Sequence, residues 1–260
     1  HGTLIDDVNG NWWIVYHAYA KGYHTLGRQT LIEPIEWTTD GWYRTKTTAT
    51  PIKPDKQIKH GIELSDDFSK ANLGLQWTFW KEYAPKSLAF DNGTLWIKAK
   101  GSTLANGRLL LTTAEDKNYE TQVEINTGNG NTAGLVLFYN EKAYAGVVSD
   151  GKKFIVYQNA NKQLELPNEL GNRFIAKIHN QGNNLRIMVS KDNKEWTTLA
   201  ENVDVSQIHH NNYHGFYALR IGLLSAGKGT AGFKQFRYKN AVPQGDVDIV
   251  ITTRELGRMI

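Results

Sequence analysis

A chain of 260 residues holds between one and two domains at roughly 150 residues each. Its 30 Lys and Arg against 26 Asp and Glu leave +4, too weak and too dispersed along the chain for a nucleic-acid footprint. Hydrophobic residues at 40% and charged residues at 22% exclude wholesale disorder, no stretch approaches the ~18 apolar residues of a membrane helix, and the absence of cysteine excludes disulfides, thiolate metal sites and cysteine nucleophiles together.

In chain order, His1-Gly2-Thr3-Leu4 runs directly into patterned sequence with no leader-like segment, which leaves the compartment open between secreted, periplasmic and cytoplasmic. Asn9-Gly10 is a hairpin dipeptide between short strands at Thr3–Ile5 and Trp12–Tyr16. The run Trp12-Trp13-Ile14-Val15-Tyr16-His17 is aromatic and β-branched, so a strand buried on both faces is expected. A further strand is expected over Gly27–Ile32, with Pro34 and Trp37 leading to the Asp40-Gly41 turn. Residues 44–61, with Pro51 and Pro54 and little periodicity, read as a linker laid over a surface.

From Ile62 the texture becomes one of short strands separated by turn residues. Phe90–Lys100 alternates around Asn92-Gly93, and Leu109–Thr113, Tyr119–Ile125, Gly134–Tyr139, Ala143–Ser149 and Lys153–Gln158 follow. Asn159–Lys162 reads as a turn; Arg173–Asn180, Asn184–Ser190, Trp196–Glu201, Arg220–Ser225 and Ala231–Tyr238 read as strands. Strand signals every 8–12 residues predict an all-β chain built on an antiparallel sandwich or barrel. The only helical signal is a turn near Ser206–His209. Residues 241–260 read as a poorly ordered or loosely docked tail, or as an added edge strand.

The aromatic inventory, 8 Trp, 12 Tyr and 9 Phe, has two readings: rings filling β cores, or stacking faces for sugars in Gly-rich surroundings. The first 43 residues carry Trp12, Trp13, Tyr16, Tyr19, Tyr23, Trp37 and Trp42, more ring surface than one small sheet can bury by itself. Trp12, Trp13 and Trp37 are therefore expected to lie against protein other than residues 62–240.

The ordered series HGTL…WWIVYHA…LGRQ…EPIEW…DGW over residues 1–43 resembles the last blade of the five-bladed β-propeller of glycoside hydrolase family 43. Residues 62–240, with the entry DDFS at Asp66–Ser69, LQW at Leu75–Trp77 and the exit GFKQFRY at Gly232–Tyr238, resemble that family's C-terminal concanavalin-A-like, lectin-like jelly roll. The resemblance covers about residues 1–240. It implies part of a plant-polysaccharide hydrolase acting on β-1,4-xylosides or α-L-arabinofuranosides, with xylan or arabinoxylan oligosaccharides as partners. It implies inversion by a carboxylate base and a carboxylic acid carried by blades not among these residues, so no catalytic residue is assigned here. The missing blades would sit on a companion polypeptide, or the exposed rings on another copy of the chain.

By the same resemblance, Arg28 of the LGRQ motif donates to sugar hydroxyls, a task suited to a planar fork. His1 lies on the propeller axis, beside a central water or calcium, the one cofactor the resemblance suggests. The loop of His209, His210, Asn211, Asn212, Tyr213, His214 and Phe216 is read either as a metal site, as a solvated hairpin loop, or as a polar, aromatic loop leaning over the sugar site. Adjacent His209 and His210 converge poorly on one ion and no carboxylate flanks them, so His209, His210, Tyr213 and Phe216 are taken as candidate substrate-binding residues.

Two further patterns stand in the sandwich sequence. Glu120, Gln122 and Glu124 share one strand face, as the acids of concanavalin-like glucanases do, but the middle position is not Asp and a solvated face is the plainer reading. Asp66 and Asp67 could hold the structural calcium of sandwich lectins, against which Lys234 supplies a cation near the expected second ligand. A different class of function, a stand-alone non-catalytic sugar-binding module, remains the alternative.

Overall fold

The computed structural model describes residues 1–46 and 62–241. Most of the linker and nearly all of the tail named above therefore lie outside the described residues. The first four strands, β1 (Gly2–Asp6), β2 (Trp12–Tyr19), β3 (Arg28–Trp37) and β4 (Tyr43–Thr45), form one antiparallel sheet in sequence order. A four-stranded up-and-down sheet is the unit of a propeller blade.

Three expectations for this sheet need correction. β2 continues to Tyr19 and is half-buried, with Trp12 exposed, because the described chain covers only part of its surface. β3 runs straight through Pro34, whose carbonyl still accepts from the Lys46 amide at 2.8 Å. β4 crosses the expected linker boundary at residue 44, since Tyr43 pairs with Trp37. Trp12 and Trp37 meet edge to face at 5.3 Å, and the Trp13 indole donates to Asp7 at 3.2 Å, contacts within the sheet itself.

The remaining strands are β5 (Thr78–Phe79), β6 (Leu88–Asp91), β7 (Thr94–Lys98), β8 (Arg108–Thr112), β9 (Asn118–Asn126), β10 (Asn131–Asn140), β11 (Ala143–Ser149), β12 (Lys153–Gln158), β13 (Asn161–Pro167), β14 (Arg173–Gln181), β15 (Asn184–Ser190), β16 (Thr197–Asp204), β17 (Arg220–Gly227) and β18 (Thr230–Asn240). They make two seven-stranded sheets, ordered β13-β12-β11-β10-β17-β8-β5 and β16-β15-β14-β9-β18-β7-β6. Between them lies a core that includes Leu95, Ile97, Val123, Leu135, Leu137, Ile178, Ile187, Leu223 and Phe233. The chain is all-β and this part is an antiparallel sandwich. Its one described α-helix, α1 (His210–Tyr213), is a single turn that begins just after the position expected for it.

β13 begins inside the expected Asn159–Lys162 turn and carries no strand signal in Asn161, Lys162 and Gln163, which lack apolar alternation; it is an edge strand closed by Pro167, where a missing N–H costs nothing. β10 and β11, by contrast, are buried on both faces. A second cluster of Leu109, Leu111, Val136, Phe138, Tyr144, Val148 and Leu224 covers the outside of the first sheet, under Leu104 and Trp80. That explains why both strands are almost continuously apolar.

The blade docks on one end of this sandwich. Leu219 N–H donates to Thr25 O at 2.7 Å, Thr25 Oγ1 donates to Asn183 Oδ1 at 2.6 Å, and Asn183 Nδ2 donates to Gly22 O at 3.1 Å. Thr25 and Asn183 are both buried. Gly27, at φ 73° and ψ −169°, occupies a region open essentially to glycine alone. A Cβ there would stand 3.0 Å from that of Ala218.

Thr25→Val should strip the donor and leave Asn183 Oδ1 unpaired, lowering stability in urea unfolding by about 1–3 kcal/mol, while Thr25→Ser stays near the parent. Gly27→Ala should destabilise the docked blade as well, through both backbone strain and the Ala218 contact. Unfolding curves identical to the parent for both Thr25→Val and Gly27→Ala would mean that this seam does not hold the two parts together.

Candidate functional site

The hairpin between β2 and β3 sets one half of the site. Its register places Tyr19 directly opposite Arg28, and the intervening 3-10 turn, His24–Leu26, brings His24 beside them. The other half comes from the sandwich loop between β16 and β17. His209 caps α1, its Nδ1 accepting from the Asn211 amide at 3.3 Å, which places the ring's proton on Nε2. Beyond α1 the chain reverses at His214 and Gly215, both with positive φ. Tyr139 Oη, on β10, lies 2.8 Å from the carbonyls of each, and Asn140 Nδ2 donates to Tyr213 O at 3.2 Å. The end of a core strand thus holds the loop in the shape that presents Phe216.

The two halves meet ring on ring. His210 stacks on Tyr19 at 4.6 Å and 6°. His24 lies 5.0 Å from His209 and 6.2 Å from His210. Phe216 places its ring 3.8 Å from the Arg28 guanidinium carbon, a cation–π contact, yet is 68% exposed. The only hydrogen-bond partner of the Arg28 side chain among the described residues is His17, whose Nε2 stands 3.4 Å from Nη1. Its remaining N–H groups are open to a ligand. Two further polar atoms at this seam, Tyr19 Oη and His210 Nδ1, are buried without a partner. The arrangement offers a cation with free donors beside an exposed aromatic face, which suits a group that is apolar on one side and hydroxylated on its edge.

Of the residues expected from sequence, Arg28, His209, His210 and Phe216 come together. Tyr213 does not line the site: it packs against the sandwich core near Tyr139 and supports the loop through its carbonyl. His1 is exposed, its ring 6.2 Å from that of His17. Tyr19, His24 and His17 join the site through the hairpin register that sets Tyr19 against Arg28, which residue type and motif do not show.

The metal readings find little support. Among the described residues no group of three or more His, Asp or Glu is placed to hold an ion. The surroundings of His1 and His17 are imidazole and guanidinium, whereas calcium takes 6–8 oxygens; this donor set does not fit it. Asp66 accepts from the Phe68 amide and the Trp77 indole, and Asp67 from the Ser69 amide, so N–H donors occupy both carboxylates. Glu120 pairs with Lys177 at 3.2 Å and Gln122 donates to Asn193, so Glu120 is held in an ion pair and the position between the two acids is tied to a loop.

Burial, then the neighbouring His24 and His210, push His209 below the ordinary imidazole value; burial, then His24 and Arg28, do the same to His210. Both rings therefore resist protonation more when folded than when unfolded. Below about pH 6.5 the unfolded chain takes up protons that the folded one refuses, so stability is lost as the pH falls. The melting temperature should drop between pH 7.5 and 5.5, and His209→Asn with His210→Gln should flatten the slope, Asn keeping the cap. An unchanged slope would remove these rings from the pH response.

Comparison with known proteins agrees with this architecture. Residues 65–239 match the model of the beta xylosidase C-terminal concanavalin A-like domain, and residues 1–43 match that of glycosyl hydrolases family 43. A non-reducing end alpha-L-arabinofuranosidase of Bacteroides ovatus is 31% identical over 109 residues, 38% of this chain and 21% of that protein. A xylosidase/arabinosidase of Butyrivibrio fibrisolvens is 25% identical over 88% of this chain and 49% of its own length. The crystal structure of a family 43 protein from Bacillus licheniformis superposes with a TM-score of 0.78 at 22% identity, covering 92% of this chain and 53% of that one. The chain thus spans about half or less of the length of the relatives it matches. It belongs to the family of β-xylosidase C-terminal concanavalin-A-like domains, preceded by a segment of the glycosyl hydrolase family 43 type.

Proposed function

We propose that the chain is the C-terminal part of a hemicellulose hydrolase that cleaves β-1,4-xylosides, α-L-arabinofuranosides or both with inversion. The observation that carries this reading is the meeting of Phe216 and Arg28 across the two folded parts, 3.8 Å apart, with guanidinium donors left free. Arg28 would bind hydroxyls of the sugar, Phe216 would cover an apolar sugar face, and the His24, His209, His210 and Tyr19 rings would wall the pocket and exclude water. Exclusion of bulk water strengthens the hydrogen bonds made by Arg28.

An inverting glycosidase needs an acid and a base ~6.5–9.5 Å apart with a water between them. In this proposal those carboxylates belong to further propeller blades outside the 260 residues, on a companion stretch of polypeptide that also covers Trp12 and Trp37.

With those blades present, Arg28→Ala should lower kcat/KM on aryl xylosides or arabinofuranosides by about one to two decades, the value of a charged hydrogen bond of about 1.5–3 kcal/mol. Phe216→Ala should raise KM more than it lowers kcat, since ring contact serves binding. Kinetics unchanged in Arg28→Ala would sink the reading. Turnover by the chain with no further blades, abolished by Glu120→Gln, would replace it with a glucanase-like site.

A further inference from the structure

We propose that the cleft on the outer face of the second sandwich sheet binds a short, unbranched stretch of pyranose polysaccharide, with Trp96 as its stacking ring. From the proposed function this takes only the class of glycan. The cleft has a volume of about 520 Å³, within the ~300–1,000 Å³ of small-molecule sites, and spans β7, β18, β9 and β14.

Strand periodicity puts Trp96 there. Leu95 and Ile97 turn inward and are fully buried, so the indole between them faces out. Its six-membered ring lies over Gly232: a Cβ at that position would come within 2.8 Å of Cζ3 and 3.1 Å of Cε3 and Cη2. Glycine beneath the indole lets the ring lie down on the backbone, with its far face toward the cleft. Thr94, Asn126 and Asn193 add neutral hydrogen-bonding groups around it.

The charged groups of the cleft carry the inference further. The register sets Lys234 opposite Glu124, and Arg173 opposite Asn126 one step along the same face. Farther along the same strands Lys177 and Glu120 do pair, at 3.2 Å. Yet the side chains of Glu124, Arg173 and Lys234 make no hydrogen bond or ion pair among the described residues. An indole face, a free carboxylate and two free cations around one cleft match a ligand with an apolar C–H face and a rim of hydroxyls that both donate and accept. A purely anionic ligand would meet Glu124, and a purely apolar one would strand all three charges.

The cleft lies at the Asn126 end of β9, whereas Lys117, beside the Asn118 end, holds Tyr23 of the blade. At ~3.3 Å per residue the two ends are roughly 26 Å apart. A glycan chain held here would be gripped well away from Arg28.

The test is a titration of the full chain, ¹⁵N-labelled at its eight tryptophans, with xylohexaose. The Trp96 indole signal should shift, and Trp96→Ala should weaken the affinity about tenfold or more. Arg173→Ala, at an exposed position that leaves the fold intact, should weaken it several-fold. No shift of the Trp96 signal, or an affinity equal to the parent in both variants, would overturn the proposal. That outcome leaves the Arg28 kinetics untouched, just as normal kinetics in Arg28→Ala would leave this titration untouched.

Discussion

The hydrogen bond from Thr25 to Asn183 is buried at the seam between a four-stranded sheet and the end of a sandwich, and the position of the hairpin residues at the ring cluster follows from it. A sheet of four strands with two open edges has little apolar surface to hide on its own. Here its β2–β3 hairpin is clamped by Leu219 and Asn183, and Gly27 lets the backbone approach Ala218 without a side chain between them. Once Gly22, Thr25 and Gly27 are fixed, Tyr19, His24 and Arg28 are fixed with them, because they are the same hairpin.

The sandwich supplies the opposite requirement, a loop that is polar and exposed yet held in one shape. Tyr139 is fully buried in the core while its hydroxyl reaches the carbonyls of His214 and Gly215. Core side chains are packed too densely to drift, so a loop tied to one of them inherits that rigidity. Phe216 can then stay largely exposed and still stand over Arg28. The cost is two imidazoles brought close to a third and to a guanidinium, and burial with these neighbours pushes His209 and His210 below the ordinary imidazole value.

How much of this was readable in the chain differs by element. The sandwich strands were legible because Val123 and Ile125, or Leu185 and Ile187, alternate with polar residues, and because β10 and β11 are almost continuously apolar. β13 was not, since an edge strand has no need of apolar alternation. Arg28, His209, His210 and Phe216 could be picked out by residue type and motif. Tyr19 and His24 could not, because their role depends on a register between two strands and on a stacking partner about 190 residues away in sequence. Tyr213 shows the reverse error: an aromatic in a polar loop reads as a ligand contact, whereas here it packs on the core.

Among the described residues, the outer strands β1 and β4 of this sheet each pair with a single neighbour, and the sheet and its turn display Ile5, Ile32, Trp37 and Trp42 to solvent. Open edges beside exposed apolar rings are templates for further strand pairing. If nothing covered them, such edges would invite concentration-dependent association between copies of the chain. The same surface would then read as a protein–protein seam when covered and as an aggregation seed when left bare.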